Sequence, residues 1–228
     1  MSRMCGRFTL ATPPEILAAL FAVETSDWND PRFNIAPQVR IVTVRSRHGR
    51  RAAQSLLWGA VNPRDGRPLI NARSETVATS PLFGRAFAEA RVLVPADGFF
   101  EWTKEGARRL GRYFERPGGG PFAFAGIAVD PKSPSPDDEP AAVILTAQAS
   151  ASVKAFHDRM PLVIQPDSYE AWLDGSTNLK EVAALVTRAV DTEWASHPVG
   201  PAVNNVRNDT PENIRQAEPA PEKQGRLF

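Results

Sequence analysis

Cys5 is the single cysteine of the chain, and it follows Met4 and precedes Gly6 and Arg7. If residues 1–4 are absent, Cys5 carries a free α-amine of pKa about 7.7–8.0 beside a thiol of pKa about 8.5. The pair is a 1,2-aminothiol. Its amine can condense with an aldehyde to a Schiff base, and its thiol can then close a five-membered thiazolidine, which an internal cysteine cannot do. This chemistry calls for an aldehyde-bearing substrate. The alternative is the commoner fate of a lone cysteine, a small buried apolar residue.

Three further segments set polar groups among apolar ones. In Val94–Trp102, Glu101 stands between Phe100 and Trp102. A strand would turn its carboxylate to the face opposite theirs, where partial desolvation raises a carboxyl pKa toward proton-transfer range. An exposed strand acid would read the same way. Asn71-Ala-Arg-Ser-Glu-Thr76 follows the apolar Pro68–Ile70, which puts Asn71 and Arg73 at an expected strand-to-helix junction, where Asn and Ser also serve as helix caps. His157-Asp-Arg-Met-Pro161 lies between a short helix and a strand, and its imidazole either titrates near neutrality or caps the helix end. Arg32–Pro37 and Leu57–Ala60 add a polar and aromatic mixture suited to a single nucleic acid strand.

The elements that must position these residues are short. Twenty-one prolines in 228 residues leave little room for long helices. Strands are predicted over Val39–Arg45, Gln54–Trp58, Arg91–Pro95, Phe99–Trp102, Arg112–Glu115, Phe122–Val129, Ala141–Thr146 and Pro161–Gln165, with Arg45–Arg51 as a basic hairpin loop. Helical patterns cover Ser74–Ala90 with a break at Pro81, Ser150–Phe156, Asp167–Leu173 and Leu179–Val190. Thr12-Pro-Pro-Glu15 reads as an N-cap, a first-turn proline and a capping-box acid. Strands do not alternate regularly with long helices, which disfavours a doubly wound sheet. The expected fold is α+β: one strand-rich domain over residues 1–208, with a barrel-like mixed sheet and flanking short helices. A polar tail is expected over 209–228, and a solvated loop over Asp130–Pro140.

Composition narrows the function. No apolar run reaches the roughly 18–20 residues that span a bilayer, and the N-terminus lacks a secretory pattern. One cysteine and three scattered histidines assemble no zinc-type cluster, so no metal or cofactor is expected. The net charge is only +1, yet residues 1–73 carry 11 arginines against 5 acids, +6, and the remainder −5. Arginine suits bidentate phosphate contacts, although a GC-rich genome also writes Arg for Lys.

In this order, Met4–Phe8, Arg32–Pro37, Trp58-Gly59, Asn71–Thr76, Pro95–Trp102 and His157–Pro161 resemble the SOS response-associated peptidase (SRAP) family, over about residues 4–208. The resemblance implies an abasic-site sensor that captures single-stranded DNA as a thiazolidine crosslink, with a proposed autopeptidase activity and a lyase activity. It makes Cys5 the nucleophile, Asn71 its positioner, Glu101 the proton-handling group and His157 the assistant to Schiff-base formation and reversal. Gly6, Arg7, Asn34, Pro37, Trp58, Arg73 and Arg159 match positions along the DNA channel. A cytoplasmic monomer, nucleoid-associated when on DNA, is expected. Two departures stand out. Ser2 and Arg3 separate Met1 from the Met-Cys pair, so Met4 is the expected start or residues 1–4 are removed. Pro81 stands where family members often carry arginine, and with the low net charge this predicts modest non-specific DNA affinity.

Overall fold

Prolines and glycines cut the chain into short elements whose order follows the apolar runs. The computed structural model describes residues 6–23, 28, 30–106, 108–131, 140–188 and 193–218. The first third holds β1 (Phe8–Leu10), α1 (Pro14–Phe21), β2 (Arg32–Ile35), β3 (Arg40–Arg47), β4 (Arg50–Trp58), β5 (Ala60–Val61), β6 (Pro68–Leu69) and β7 (Asn71–Arg73). Next come α2 (Gly84–Glu89), β8 (Arg91–Ala96), β9 (Gly98–Glu105), β10 (Arg108–Glu115), β11 (Phe122–Val129) and β12 (Ala141–Gln148). The last third has α3 (Ala151–Lys154), β13 (Arg159–Pro161), β14 (Val163–Ile164), α4 (Tyr169–Leu173), α5 (Leu179–Arg188) and β15 (Ala195–Val199).

The larger sheet returns on itself. Its path runs β12–β4–β3–β8–β11, and β11 pairs with β12 again, so five strands form a ring. It is mixed, because β12 runs parallel to β4 and β7 while its other pairings are antiparallel. β8 and β11 are buried at every position, which accounts for their apolar runs Val92–Ala96 and Phe122–Val129. The strand-rich α+β architecture expected from sequence is the one observed, with a ring of sheet at its centre. No helix among the described residues is long and apolar enough to cross a membrane.

A second sheet, in the order β15–β10–β9–β1–β2, covers the ring. Alternation gives it two distinct faces. Inward, Phe99 and Phe114 stack at 5.0 Å, and Phe99 meets Phe124 of the ring and Trp194. Outward, Phe100, Tyr113, Val199 and Val203 form a smaller core of their own. The sharp turn from β8 to β9 depends on Gly98, where an added Cβ would lie 2.3 Å from the Tyr113 ring and 2.6 Å from the Phe114 carbonyl.

Three local expectations differ from the structure. The basic hairpin loop shrinks to His48-Gly49, whose φ values of 52° and 76° make the two-residue turn that strand twist favours, so Arg45, Arg47, Arg50 and Arg51 belong to strands. Pro14 is a first-turn proline, but Thr12 does not cap α1: its hydroxyl donates to Asp97 Oδ1 at 2.6 Å. The stretch 74–90 makes only a 3₁₀ turn at Val77–Thr79 and α2, because Pro81 interrupts the helical pattern.

The start of the expected tail is docked. Asp209 accepts from the Phe33 amide at 2.5 Å and pairs with Arg32, and Asn213 is buried. Residues 219–228 lie outside the described part.

Candidate functional site

Cys5 lies outside the described residues; Gly6, the next residue in the chain, is described. Phe8 pairs with Phe99, and the Phe100 amide donates to the Arg7 carbonyl at 3.0 Å. Glu101 is the next residue of β9 after Phe100. Glu101 is 2% exposed, with Oε1 sealed from solvent. It therefore meets the sequence expectation of a desolvated strand carboxylate on the face away from Phe100 and Trp102.

The same face carries the histidine segment. Arg112 stands directly opposite Glu101 across β9–β10, and its guanidinium lies 4.4 Å over the Phe156 ring while donating to the Ser196 carbonyl and hydroxyl. Phe156 also packs edge-on against Phe114 at 5.6 Å. His157 is the next residue in the chain. His157 Nδ1 lies 3.0 Å from the Arg159 amide and 3.1 Å from the Arg159 carbonyl, so the ring is fixed by the backbone two residues on.

One indole links β1 to Asn71. Trp58 is fully buried, packs edge-on against Phe8 at 5.2 Å and donates its Nε1–H to the Ile70 carbonyl at 3.0 Å. The strand leaving Gly6 and the residue preceding Asn71 are thus anchored to the same ring. β7 runs parallel to β12 with Asn71 at Ile144 and Arg73 at Thr146. Asn71 keeps its carboxamide oxygen buried.

Arg73 and Arg159 border the site through Thr146. Arg159 donates to the Thr146 carbonyl at 2.5 Å and hydroxyl at 3.2 Å, and grips Glu75 bidentately at 2.6 and 2.9 Å. The Arg159 hydrogen bond holds the Glu75 carboxyl below its ordinary range. Arg73 is exposed. Pro37 is half-buried ahead of Gln38, whose backbone takes φ 67° and whose amide donates to the Trp58 carbonyl at 3.0 Å.

Two residues matched to a DNA channel occupy other places. Trp58 exposes no surface on which a base could stack, being buried against Phe8 and bonded to the Ile70 carbonyl. Asn34 is 1% exposed and binds Arg7 at 2.6 Å and the carbonyls of Val203, Asn205 and Asn208. Arg7 lies on the face opposite Glu101, with its guanidinium 5.4 Å from the Trp102 ring. Its pKa is lowered, first by burial and then by Arg109, which lies over the same indole at 5.2 Å.

Glu75 and Thr146 were not singled out by the sequence reading. Glu75 lies inside the Asn71 motif four residues after Asn71, and Thr146 is a hydroxyl near the end of an otherwise apolar strand. Both were visible as residue types, but the pairing of Arg159 across 84 residues was not.

A ring-sheet α+β protein with a buried carboxylate, a neighbouring imidazole segment and an arginine-bearing border is the class that fold and site define. The model of the SOS response associated peptidase (SRAP) family matches residues 4–206, and the chain belongs to that family. It is 34% identical over 221 residues to abasic site processing protein YedK of Escherichia coli, covering 93% of this chain and 99% of that one. It is 26% identical to abasic site processing protein HMCES of mouse, covering 94% of this chain and 76% of that protein. A crystal structure of a Bacteroides thetaiotaomicron protein superposes with a TM-score of 0.79 at 20% identity, covering 94% of this chain and all of that one. At that identity the likeness speaks to the fold.

Proposed function

We propose that this protein processes abasic sites in single-stranded DNA, and that it does so by covalent capture through an N-terminal Cys5. The reading is supported by membership of a family whose relatives are named abasic site processing proteins, and by one observation above others. β1, which follows Cys5 closely in the chain, pairs with β9, and β9 carries the nearly inaccessible carboxylate of Glu101.

The reaction balances as a condensation. The α-amine of Cys5 adds to the aldehyde carbon of the ring-opened abasic sugar, and the carbinolamine loses its oxygen as water to form a C=N bond. The thiol sulfur then adds to that carbon as the thiol proton moves to nitrogen, which closes the thiazolidine with net loss of one water. Glu101, desolvated, delivers the proton that lets hydroxide leave as water. Asn71 orients the open sugar, and His157 moves protons on the way in and on reversal. Gly6, Arg73, Arg159 and Pro37 border the strand's path, the arginines facing phosphates.

The amine exists only when residues 1–4 are gone, either by initiation at Met4 with methionine removal or by self-cleavage ahead of Cys5. Elimination at the abasic site, a lyase outcome, would proceed from the same C=N intermediate. The test mixes protein beginning at Cys5 with a single-stranded oligonucleotide bearing one abasic site. A heat-stable shifted band that Cys5→Ala abolishes is expected, and no band from the unsubstituted protein would sink the proposal.

A further inference from the structure

The segment from Pro201 to Ala217 is fastened to both edges of the second sheet, β2 on one side and β15 on the other. It contains the 3₁₀ turns Pro201–Asn204 and Pro211–Ile214. Asp209 holds the Phe33 amide, His197 Nε2 lies 2.8 Å from the Ile214 carbonyl, and the Ala217 amide donates to Pro198 at 2.8 Å. Asn34 is the hub of this attachment. Its Nδ2 reaches the carbonyls of Val203, Asn205 and Asn208 at 3.3, 3.1 and 2.6 Å, while its Oδ1 accepts from Arg7.

Arg7 is held from the same side. The nitrogen that donates to Asn34 also donates to the Val203 carbonyl at 2.8 Å, and Trp102, beneath the guanidinium, donates its Nε1–H to Asn204 at 2.7 Å. A buried carboxamide that both donates and accepts is hard to replace: Asp lacks the donors and Ala lacks everything. A guanidinium engaged this way is positioned for the fold, and its place on the strand is two residues from Cys5.

We infer that Asn34 is a positioning residue, fastening the 201–217 segment to Arg7 and thereby fixing the strand that presents Cys5, rather than a DNA contact. The inference rests on the capture reaction proposed above. A misplacement of about 1 Å at a reacting group lowers rate on the order of a hundredfold without a matching loss of affinity.

The test compares full-length Asn34→Ala and Asp209→Ala, each beginning at Cys5, with the unsubstituted protein. Two quantities are read: single-turnover adduct formation at saturating abasic oligonucleotide, and affinity for the same oligonucleotide without an abasic site. For Asn34→Ala a saturating rate lower by about tenfold or more, with affinity within about twofold, is expected. Asp209→Ala, which loosens the segment without touching Asn34, should move the rate the same way. Affinity falling about tenfold with the saturating rate retained would make Asn34 a DNA contact and overturn the inference. Hydrogen exchange decides it independently of any adduct. Asn34→Ala should accelerate exchange at the Phe100 amide and across 200–208 and leave β8 and β11 unchanged; unaltered exchange at Phe100 would overturn the inference. A failure of the unsubstituted protein to form adduct would sink the capture reaction alone, with the exchange result still standing.

Discussion

Arg7 and Glu101 lie on opposite faces of one strand pair. The Phe100 amide donates to the Arg7 carbonyl, Arg7 lies over Trp102, and Glu101, between those two aromatics, faces the other way beside Arg112. Residues 6 and 7 lead into β1, with Arg7 anchored on the outer side of the pair and Glu101 on its inner side.

Glu101→Gln keeps the shape of the side chain and removes its proton chemistry. Adduct formation by single turnover is expected to slow by about 10²-fold or more, as removal of a general acid does. Affinity for abasic-free single strands should stay within about twofold, since a 2% exposed group has little surface for DNA. An unchanged rate would remove Glu101 from the mechanism.

The Arg159–Glu75 pair should report in a melting experiment across pH. Glu75 has a depressed folded pKa, chiefly through its hydrogen bond from Arg159. A depressed carboxyl contributes stability that is present above its unfolded pKa and is lost as pH falls through the folded one. The unsubstituted protein should melt above Glu75→Gln at neutral pH, and the gap should close below the ordinary carboxylate range. A gap constant down to about pH 2 would contradict the assignment. The pair is partly exposed, so the gap should be small.

Glu75→Gln also frees the guanidinium of Arg159 for a phosphate. Single-strand affinity, measured by fluorescence anisotropy over a salt series, should tighten, and the slope of log K against log salt should steepen by up to about one. Weaker binding by this variant would show that Arg159 needs its clamp to meet DNA.

Trp58→Ala should act on stability. Deleting a buried aromatic that packs on Phe8 and binds the Ile70 carbonyl is expected to cost about 3–5 kcal/mol in denaturant unfolding. Single-strand affinity per folded molecule should be retained. Loss of affinity with unchanged stability would reinstate the ring as a stacking surface.

Much of the strand inventory was legible because burial on two faces writes a continuous apolar run, as in Phe122–Val129. Glu101 was legible for a related reason, a charge alternating with aromatics. Contacts between distant residues were not. Arg7 meets the Val203 carbonyl across 196 positions, and nothing local marks either partner. The docked stretch 209–218 lacks hydrophobic periodicity because it is held largely by hydrogen bonds, one that Asp209 accepts from the Phe33 amide and one that Asn213 donates to the Asn208 carbonyl, with Ile214 packed on the outer cluster. Trp58 is an aromatic beside polar motifs and reads as a stacking platform, and in the structure it is fully buried. Thr12 has the residue type of a cap, but Asp97, 85 residues away, takes its hydroxyl.

Intact-mass measurement of the Cys5-initiated protein after mixing with an abasic single-stranded oligonucleotide tests the capture reaction most directly. The expected product weighs the sum of protein and oligonucleotide less one water, and neither Cys5→Ala nor the form retaining residues 1–4 should yield the stable ring. No covalent product, or an equal yield of the same heat-stable mass from Cys5→Ala, would contradict it.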